Sequence, residues 1–92
     1  MKIDIHTKTP DEVLNQSINK KVSKLGKLNS HIIDASVYLT EEGHEKEVQI
    51  KIDIKNKTLV CKERGESFKE ALDLSVNTMK RLLAKHKELV IK

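Results

Sequence analysis

The chain has 92 residues, which is enough for one compact domain with a single hydrophobic core and too few for two. Hydrophobic residues make up 37% of it and charged residues 35%, a composition typical of a folded domain with a densely charged surface. The 18 Lys and Arg residues outnumber the 14 Asp and Glu residues, and the net charge of +4 mildly favours a polyanionic partner. This composition excludes a disordered tail and leaves no room for a separate catalytic lobe, so we predict one domain over residues 1–92.

The single cysteine, Cys61, cannot form a disulfide within the chain, and the chain does not open with the basic and apolar regions of a secretory signal. We therefore predict a cytoplasmic protein. The longest uncharged apolar stretches are only a few residues long, which excludes a membrane span. Tyr38 and Phe68 are the only residues of the Phe, Tyr and Trp class, and this scarcity argues against a ring platform for stacking unpaired bases.

The first part of the chain predicts a strand followed by a helix. Residues 2–6 alternate between polar and apolar side chains, which is typical of a short strand. Thr9, Pro10 and Glu12 then predict a helix start, with Thr9 as the N-cap of a capping box. The helix is expected to continue to about Leu28. Its apolar residues recur at steps of three and four and predict one buried stripe, formed by Leu14, Ile18, Val22, Leu25 and Leu28.

The middle of the chain changes to a period of two, which predicts three further strands. They cover residues 32–40, residues 46–55 after a polar connection at 41–45, and residues 58–63 after a tight hairpin at Asn56 and Lys57. The residues expected on their inner face are Ile33, Ala35, Val37 and Leu39, then Val48, Ile50, Ile52 and Ile54, then Leu59 and Cys61. Cys61 is therefore predicted to be a small core residue and not a nucleophile.

The last part of the chain predicts a second helix. Gly65 ends the fourth strand, and Ser67 with Glu70 forms a capping box ahead of an amphipathic segment of about five turns. Its predicted inner residues are Phe68, Leu72, Ser75, Val76, Met79, Leu82 and Leu83. The resulting order, β-α-β-β-β-α, predicts an α+β domain in which two helices pack on one face of a four-stranded sheet. Its first two strands should be parallel neighbours, and the rest should form a meander.

The sequence contains no recognisable catalytic motif. The four histidines lack metal-ligand spacing, and no phosphate-binding glycine loop or Cys/His arrangement occurs, so we predict neither an enzyme nor a bound cofactor or metal. An acylphosphatase-like enzyme is the one enzymatic alternative. Residues 7–10 lack the glycines and arginine of its phosphate loop, and a helix stands where that fold adds a strand.

Both predicted helices concentrate positive charge. Residues 20–27 contain four lysines and residues 77–87 contain four cations, in both cases without an acid. Two such helices side by side would form one positive patch suited to the phosphates of structured RNA, although lysines on exposed helix faces often serve only solubility. Lys80 is expected on the opposite flank from Arg81 and Lys85. The predicted RNA-binding residues are Lys20, Lys21, Lys24, Lys27, Arg81, Lys85 and Lys87.

Four segments carry a resemblance to a known family: residues 21–25 (KVSKL), 58–63 (TLVCKE), 68–73 (FKEALD) and 80–88 (KRLLAKHKE). Through their order and spacing the chain resembles the ribosome hibernation promoting factors over essentially its whole length. This family is also called ribosome-associated inhibitor A or the sigma-54 modulation family. The segment at 80–88, which looks like the family's closing helix, is the most specific of the four.

The resemblance implies a fold like that of double-stranded RNA-binding domains and a site in the decoding region of the small ribosomal subunit. There the protein would bind 16S rRNA where messenger and transfer RNA would lie, and would stabilise idle ribosomes during stress or stationary phase. Thr78 stands where the family often has lysine, and Lys69 where it often has tyrosine. The family's basic positions fall on Lys21, Lys24, Lys27, Arg81 and Lys85.

The chain resembles the family's short forms, which lack the C-terminal domain with which long forms pair two ribosomes. Ribosome pairing would therefore need an additional factor. Two rival hypotheses remain at this point: a general structured-RNA binder or RNA chaperone, and a protein-interaction module that acts on transcription, as the family's older name suggests.

Overall fold

The computed structural model describes the backbone of residues 2–28, 32–55 and 57–91, and the side chains of these as far as residue 85. Its elements, in chain order, are β1 (Lys2–His6), α1 (Glu12–Leu25), β2 (Ile32–Glu42), β3 (Glu45–Ile54), β4 (Lys57–Gly65) and α2 (Phe68–Ile91). This confirms the predicted β-α-β-β-β-α order and the α+β class.

The strands form one sheet in the order β1-β2-β3-β4. β1 runs parallel to β2, with Ile3 opposite Ala35 and Ile5 opposite Val37, while β2, β3 and β4 form an antiparallel meander. A parallel pair needs a crossover connection, and α1 supplies it. The predicted parallel pair and meander are both confirmed.

The core lies between one face of the sheet and the two helices. The alternating apolar residues of the strands and the apolar stripes of the helices are buried because each element turns one face inward. Burying each large apolar side chain stabilises the fold by roughly 1.5–3 kcal/mol relative to leaving it exposed. The largest fully buried apolar side chains are Ile18, Val22 and Leu25 of α1, Val37, Val48, Ile50 and Ile52 of the sheet, and Leu72, Met79 and Leu83 of α2.

Helix α1 begins at Glu12, two residues later than a cap at Thr9 would place it. Its N-cap is Asp11, whose backbone is extended and whose Oδ1 accepts a hydrogen bond from the Leu14 N–H at 3.1 Å. The predicted cap, Thr9, instead donates its backbone N–H to Thr7 Oγ1 at 3.2 Å. Thr9 therefore belongs to the loop, and Pro10 precedes the helix.

Two residues predicted on the inner face are exposed. Leu28 is 43% exposed because α1 ends at Leu25 and the helical spacing no longer applies to the turn that follows. Ile33 is 57% exposed because the pairing of β2 with β3 shifts between Ile32 and Asp34. This irregularity turns Ile33 outward, and Ile32 packs against the core instead.

The connection between β2 and β3 is shorter than predicted. β2 continues to Glu42 and β3 begins at Glu45, so only Gly43 and His44 form the turn. Gly43 has a φ of 62°, in the left-handed region that tight hairpins require and that glycine adopts without steric cost. Asn56, predicted in the next hairpin, lies outside the described residues.

Helix α2 begins as predicted, with Ser67 Oγ accepting a hydrogen bond from the Glu70 N–H at 3.1 Å. With 24 residues it is longer than the predicted five turns. The side chain of His86 lies outside the described side chains. No helix in the described ranges is long and apolar enough to cross a membrane.

Two buried polar contacts join α2 to the sheet. The fully buried Ser75 donates its hydroxyl to the Val48 carbonyl at 3.0 Å, and the Cys61 thiol donates to the Ser75 carbonyl at 3.3 Å. Burial raises the pKa of the Cys61 thiol to about 11, so it stays neutral at ordinary pH. Cys61 is thus a core residue, as predicted.

Candidate nucleic-acid interface

A groove runs between α1 and α2 on the side of the helices that faces away from the sheet. It encloses about 350 Å³. Its lining residues are Lys21 and Lys24 of α1 and Asp73, Val76, Asn77 and Lys80 of α2. Three ammonium groups, one carboxylate and one amide make the groove cationic and rich in hydrogen-bond donors.

Lys21 and Asp73 form an ion pair across this groove. Their side chains are 32% and 46% exposed, so water screens the pair and its contribution to stability is below about 1 kcal/mol. The pair nevertheless neutralises one of the three lysines. Lys24 and Lys80 are the groove cations that have no acidic partner within the described part of the chain.

The α1 residues predicted to bind RNA lie at or beside the groove. Lys21 is half-buried, as expected from its position near the apolar stripe, and Lys24 is exposed in the groove. Lys20 is exposed on α1, and Lys27 is exposed in the turn that follows the helix. These four lysines therefore give the α1 side of the interface its positive charge.

The α2 residues predicted to bind RNA are placed differently from the expectation of a single patch. A helix turns by about 100° per residue, so Lys80 and Lys85 lie on opposite flanks of the buried Met79. α1 packs against the flank of Lys80. Arg81 is exposed almost opposite Met79, and Lys85 is exposed on the flank remote from α1. The side chain of Lys87 lies outside the described side chains.

The sequence prediction therefore missed Lys80 as a partner of the α1 lysines. The acid-free run at 77–87 contained the signal, since Lys80 belongs to it. The periodicity of α2 places Lys80 and Lys85 on two flanks, but it does not say against which flank α1 packs.

The outer face of the sheet has a different charge. The strand register places four basic residues there, which are Lys2, Lys51, Lys62 and Arg64. It also places six acidic residues there, which are Asp4, Asp34, Glu42, Glu45, Glu47 and Asp53. Arg64 is bound to Glu47 at 3.1 Å and to Glu45 at 3.3 Å. The domain is thus electrostatically polarised, with a cationic helix side and a sheet side of excess negative charge.

Metal ligands are not gathered at the groove. Among the residues that the structure describes, no group of three or more His, Cys, Asp or Glu side chains could hold a metal ion. The side chains that converge between α1 and α2 are instead ammonium and amide groups, which suit phosphate oxygens as ligands.

Fold and groove together define a small α+β domain whose paired helices form a cationic surface over a single mixed sheet. The chain belongs to the Sigma 54 modulation protein / S30EA ribosomal protein family, whose model matches residues 2–90. The resemblance stated from the sequence is therefore confirmed, and the chain is a ribosome-associated protein.

The solved structures similar to this chain include the following two. A ribosomal subunit interface protein from Coxiella burnetii has a TM-score of 0.85 at 16% identity, over 96% of this chain and 99% of that one. The N-terminal domain of Protein Y from Thermus thermophilus has a TM-score of 0.80 at 17% identity, over 92% and 94% of the two chains. At these identities the likeness concerns the fold. No match was found among curated proteins.

Proposed function

We propose that the chain binds the small ribosomal subunit in the decoding region, with its helix side against the phosphates of 16S rRNA. Occupying the channel of messenger and transfer RNA, it stabilises inactive ribosomes in the cytoplasm under stress or in stationary phase, and it catalyses no reaction. Residues 1–92 act as one ribosome-binding domain. The cationic groove between α1 and α2, in a member of a ribosomal protein family, carries this proposal.

Charge supports the choice of the helix side. Lys24 and Lys80 both line the groove without acidic partners in the described chain, and long ammonium side chains adapt to phosphates of a folded RNA. Arg81 and Lys20 extend the positive surface beyond the groove. The strand residues of the outer sheet face include two more acids than bases, so this face attracts a polyanion less than the helix side does, and the charge distribution orients the domain as it approaches RNA.

Charge-reversal double variants test this proposal. They are Lys24→Glu with Lys80→Glu in the groove, Arg81→Glu with Lys85→Glu on the outer side of α2, and Lys51→Glu with Lys62→Glu on the sheet as the matched control. Each pair lowers the net charge by four units, from +4 to 0. All six residues lie outside the hydrophobic core, so circular dichroism should show that each variant remains folded.

The measurement is co-pelleting with small subunits over a salt titration. We expect the groove variant to bind much more weakly, and the slope of log affinity against log salt to fall by about 2, because two phosphate contacts are lost. The sheet variant should bind nearly as the parent does. Loss of binding in the sheet variant, with the groove variant unaffected, would show that the RNA surface had been assigned to the wrong side.

The site on the subunit needs its own test. A chemical footprint confined to the decoding region, together with loss of initiator transfer RNA binding on saturated subunits, is the expected result. Equal affinity for any RNA duplex would favour a general structured-RNA binder instead. Indifference to ribosomes would favour a protein-interaction module that acts on transcription.

A further inference from the structure

Two rings are stacked on the outer face of the sheet. His6 of β1 and Tyr38 of β2 are opposite each other in the parallel register. Their ring centroids are 4.5 Å apart and the ring planes differ by 9°. The scarcity of Phe, Tyr and Trp had argued against such a platform, but a histidine supplies the second ring.

The stack borders a shallow, open cleft. In the part of the chain that the structure describes, β1 is the edge strand, so no strand lies beyond His6. Tyr38 covers one face of the His6 ring, which leaves the opposite ring face for a ligand. Both rings line this shallow cleft of about 480 Å³ together with Thr7, Lys8 and Thr40.

Lys8 places a cation beside the rings. Thr7 Oγ1 accepts the Thr9 N–H at 3.2 Å and donates to the Thr9 carbonyl at 3.4 Å, which closes the chain into a tight bend around Lys8. The Lys8 side chain is exposed and forms no ion pair within the described residues. An anion held at Lys8 would therefore be adjacent to a flat ring surface.

The row of the sheet that contains the stack is free of acids. Across the four strands this row consists of His6, Tyr38, Gln49 and Lys62. The acidic excess of the outer face lies in the other rows. A negatively charged ligand can thus approach the stack although the face as a whole is acidic.

We infer that this cleft binds one nucleotide, with its base stacked on the His6 ring face opposite Tyr38 and its phosphate at Lys8. A flat aromatic surface next to a cation is the combination that proteins use to hold unpaired nucleotides. The same chemistry fits an unpaired nucleotide of rRNA or a free mononucleotide. The first of these sources rests on the proposed function, and the second does not.

The free-nucleotide arm of the test titrates the protein with adenosine monophosphate and follows the ring protons of His6 and Tyr38 by NMR. Tyr38 is the only tyrosine, so its signals are unambiguous. Upfield shifts that saturate in the parent and in His44→Ala, an exposed histidine of the β2–β3 turn, but not in His6→Ala, would support the site. The same shifts produced by inorganic phosphate alone would overturn base stacking.

The rRNA arm measures the affinity of His6→Ala for small subunits over a salt titration. We expect roughly tenfold weaker binding, within the range for loss of one base-stacking ring, at an unchanged salt slope because stacking releases no counterions. His6→Phe keeps a flat ring and should restore the affinity, which separates stacking from any loss of folding. A positive arm identifies the source of the nucleotide, and failure of both arms overturns the inference. If the parent itself does not bind subunits, the proposed function fails, and the adenosine monophosphate titration alone decides the site.

Discussion

The ion pair between Lys21 and Asp73 leads to a prediction in which a substitution should strengthen function. Asp73→Asn keeps the size and shape of the side chain but removes the only carboxylate among the described side chains that line the groove. Lys21 is then free to contact a phosphate. Because the pair is partly exposed, its loss should lower the free energy of unfolding by less than about 1 kcal/mol.

The expected gain in affinity follows from one additional phosphate contact. Each contact contributes about 0.9 to the slope of log affinity against log salt, which amounts to roughly eightfold between 1 M and 0.1 M salt. We therefore expect Asp73→Asn to bind small subunits roughly five- to tenfold more tightly than the parent near 0.1 M salt. The difference should vanish towards 1 M.

The assay is equilibrium binding to small subunits at several salt concentrations, with Asp34→Asn as the control. Asp34 lies on the outer face of the sheet, and its substitution changes the net charge by the same single unit. If the two variants gained affinity equally, the effect would come from net charge alone. If Asp73→Asn bound like the parent with the same slope, the groove would not contact phosphates.

Three further predictions concern stability, measured by urea unfolding. Burial raises the pKa of Cys61 from 9.0 to about 11. The free energy of unfolding is therefore independent of this thiol below pH 9 and falls between pH 9 and pH 11, where the thiol ionises in the unfolded chain but not in the folded one. The parent should lose about 2 kcal/mol more than Cys61→Val by pH 11, and parallel curves would contradict this. Ser75→Ala removes the hydrogen bond to Val48 and should cost about 1 kcal/mol, whereas an unchanged midpoint would show that the bond adds nothing. Gly43→Ala should cost about 1 kcal/mol because of the positive φ, and a neutral effect would mean that the turn rearranges.

Most of the fold could be predicted because burial imposes a period on each element. The alternation of Val48, Ile50, Ile52 and Ile54 in β3 occurs only if one face is buried, and all four are buried as predicted. Ile33 continues the same alternation in β2, but the shift in pairing turns it outward. Such a shift depends on the partner strand, so a local pattern could not reveal it.

The other differences have similar causes. Thr9 and Asp11 are both good helix caps, and the choice between them depends on where the loop after β1 turns. For the groove, the sequence identified the charged helices but not the flank of α2 that meets α1. Lys80 is therefore assigned to the groove by helix packing and not by spacing. The His6–Tyr38 stack likewise arises from pairing of two strands that are distant in sequence.

The parallel pairing of β1 with β2 has a consequence for local unfolding. β1 has only five residues, lies at an edge, and pairs with a segment about thirty residues away, whereas the meander forms from neighbouring hairpins. Amide hydrogens of β1 should therefore exchange with solvent sooner than those of β3. Because His6 lies on β1 and Tyr38 on β2, the ring stack exists only while β1 is docked. A ligand held by the stack would thus slow exchange along β1, and hydrogen exchange would report its occupancy without a label.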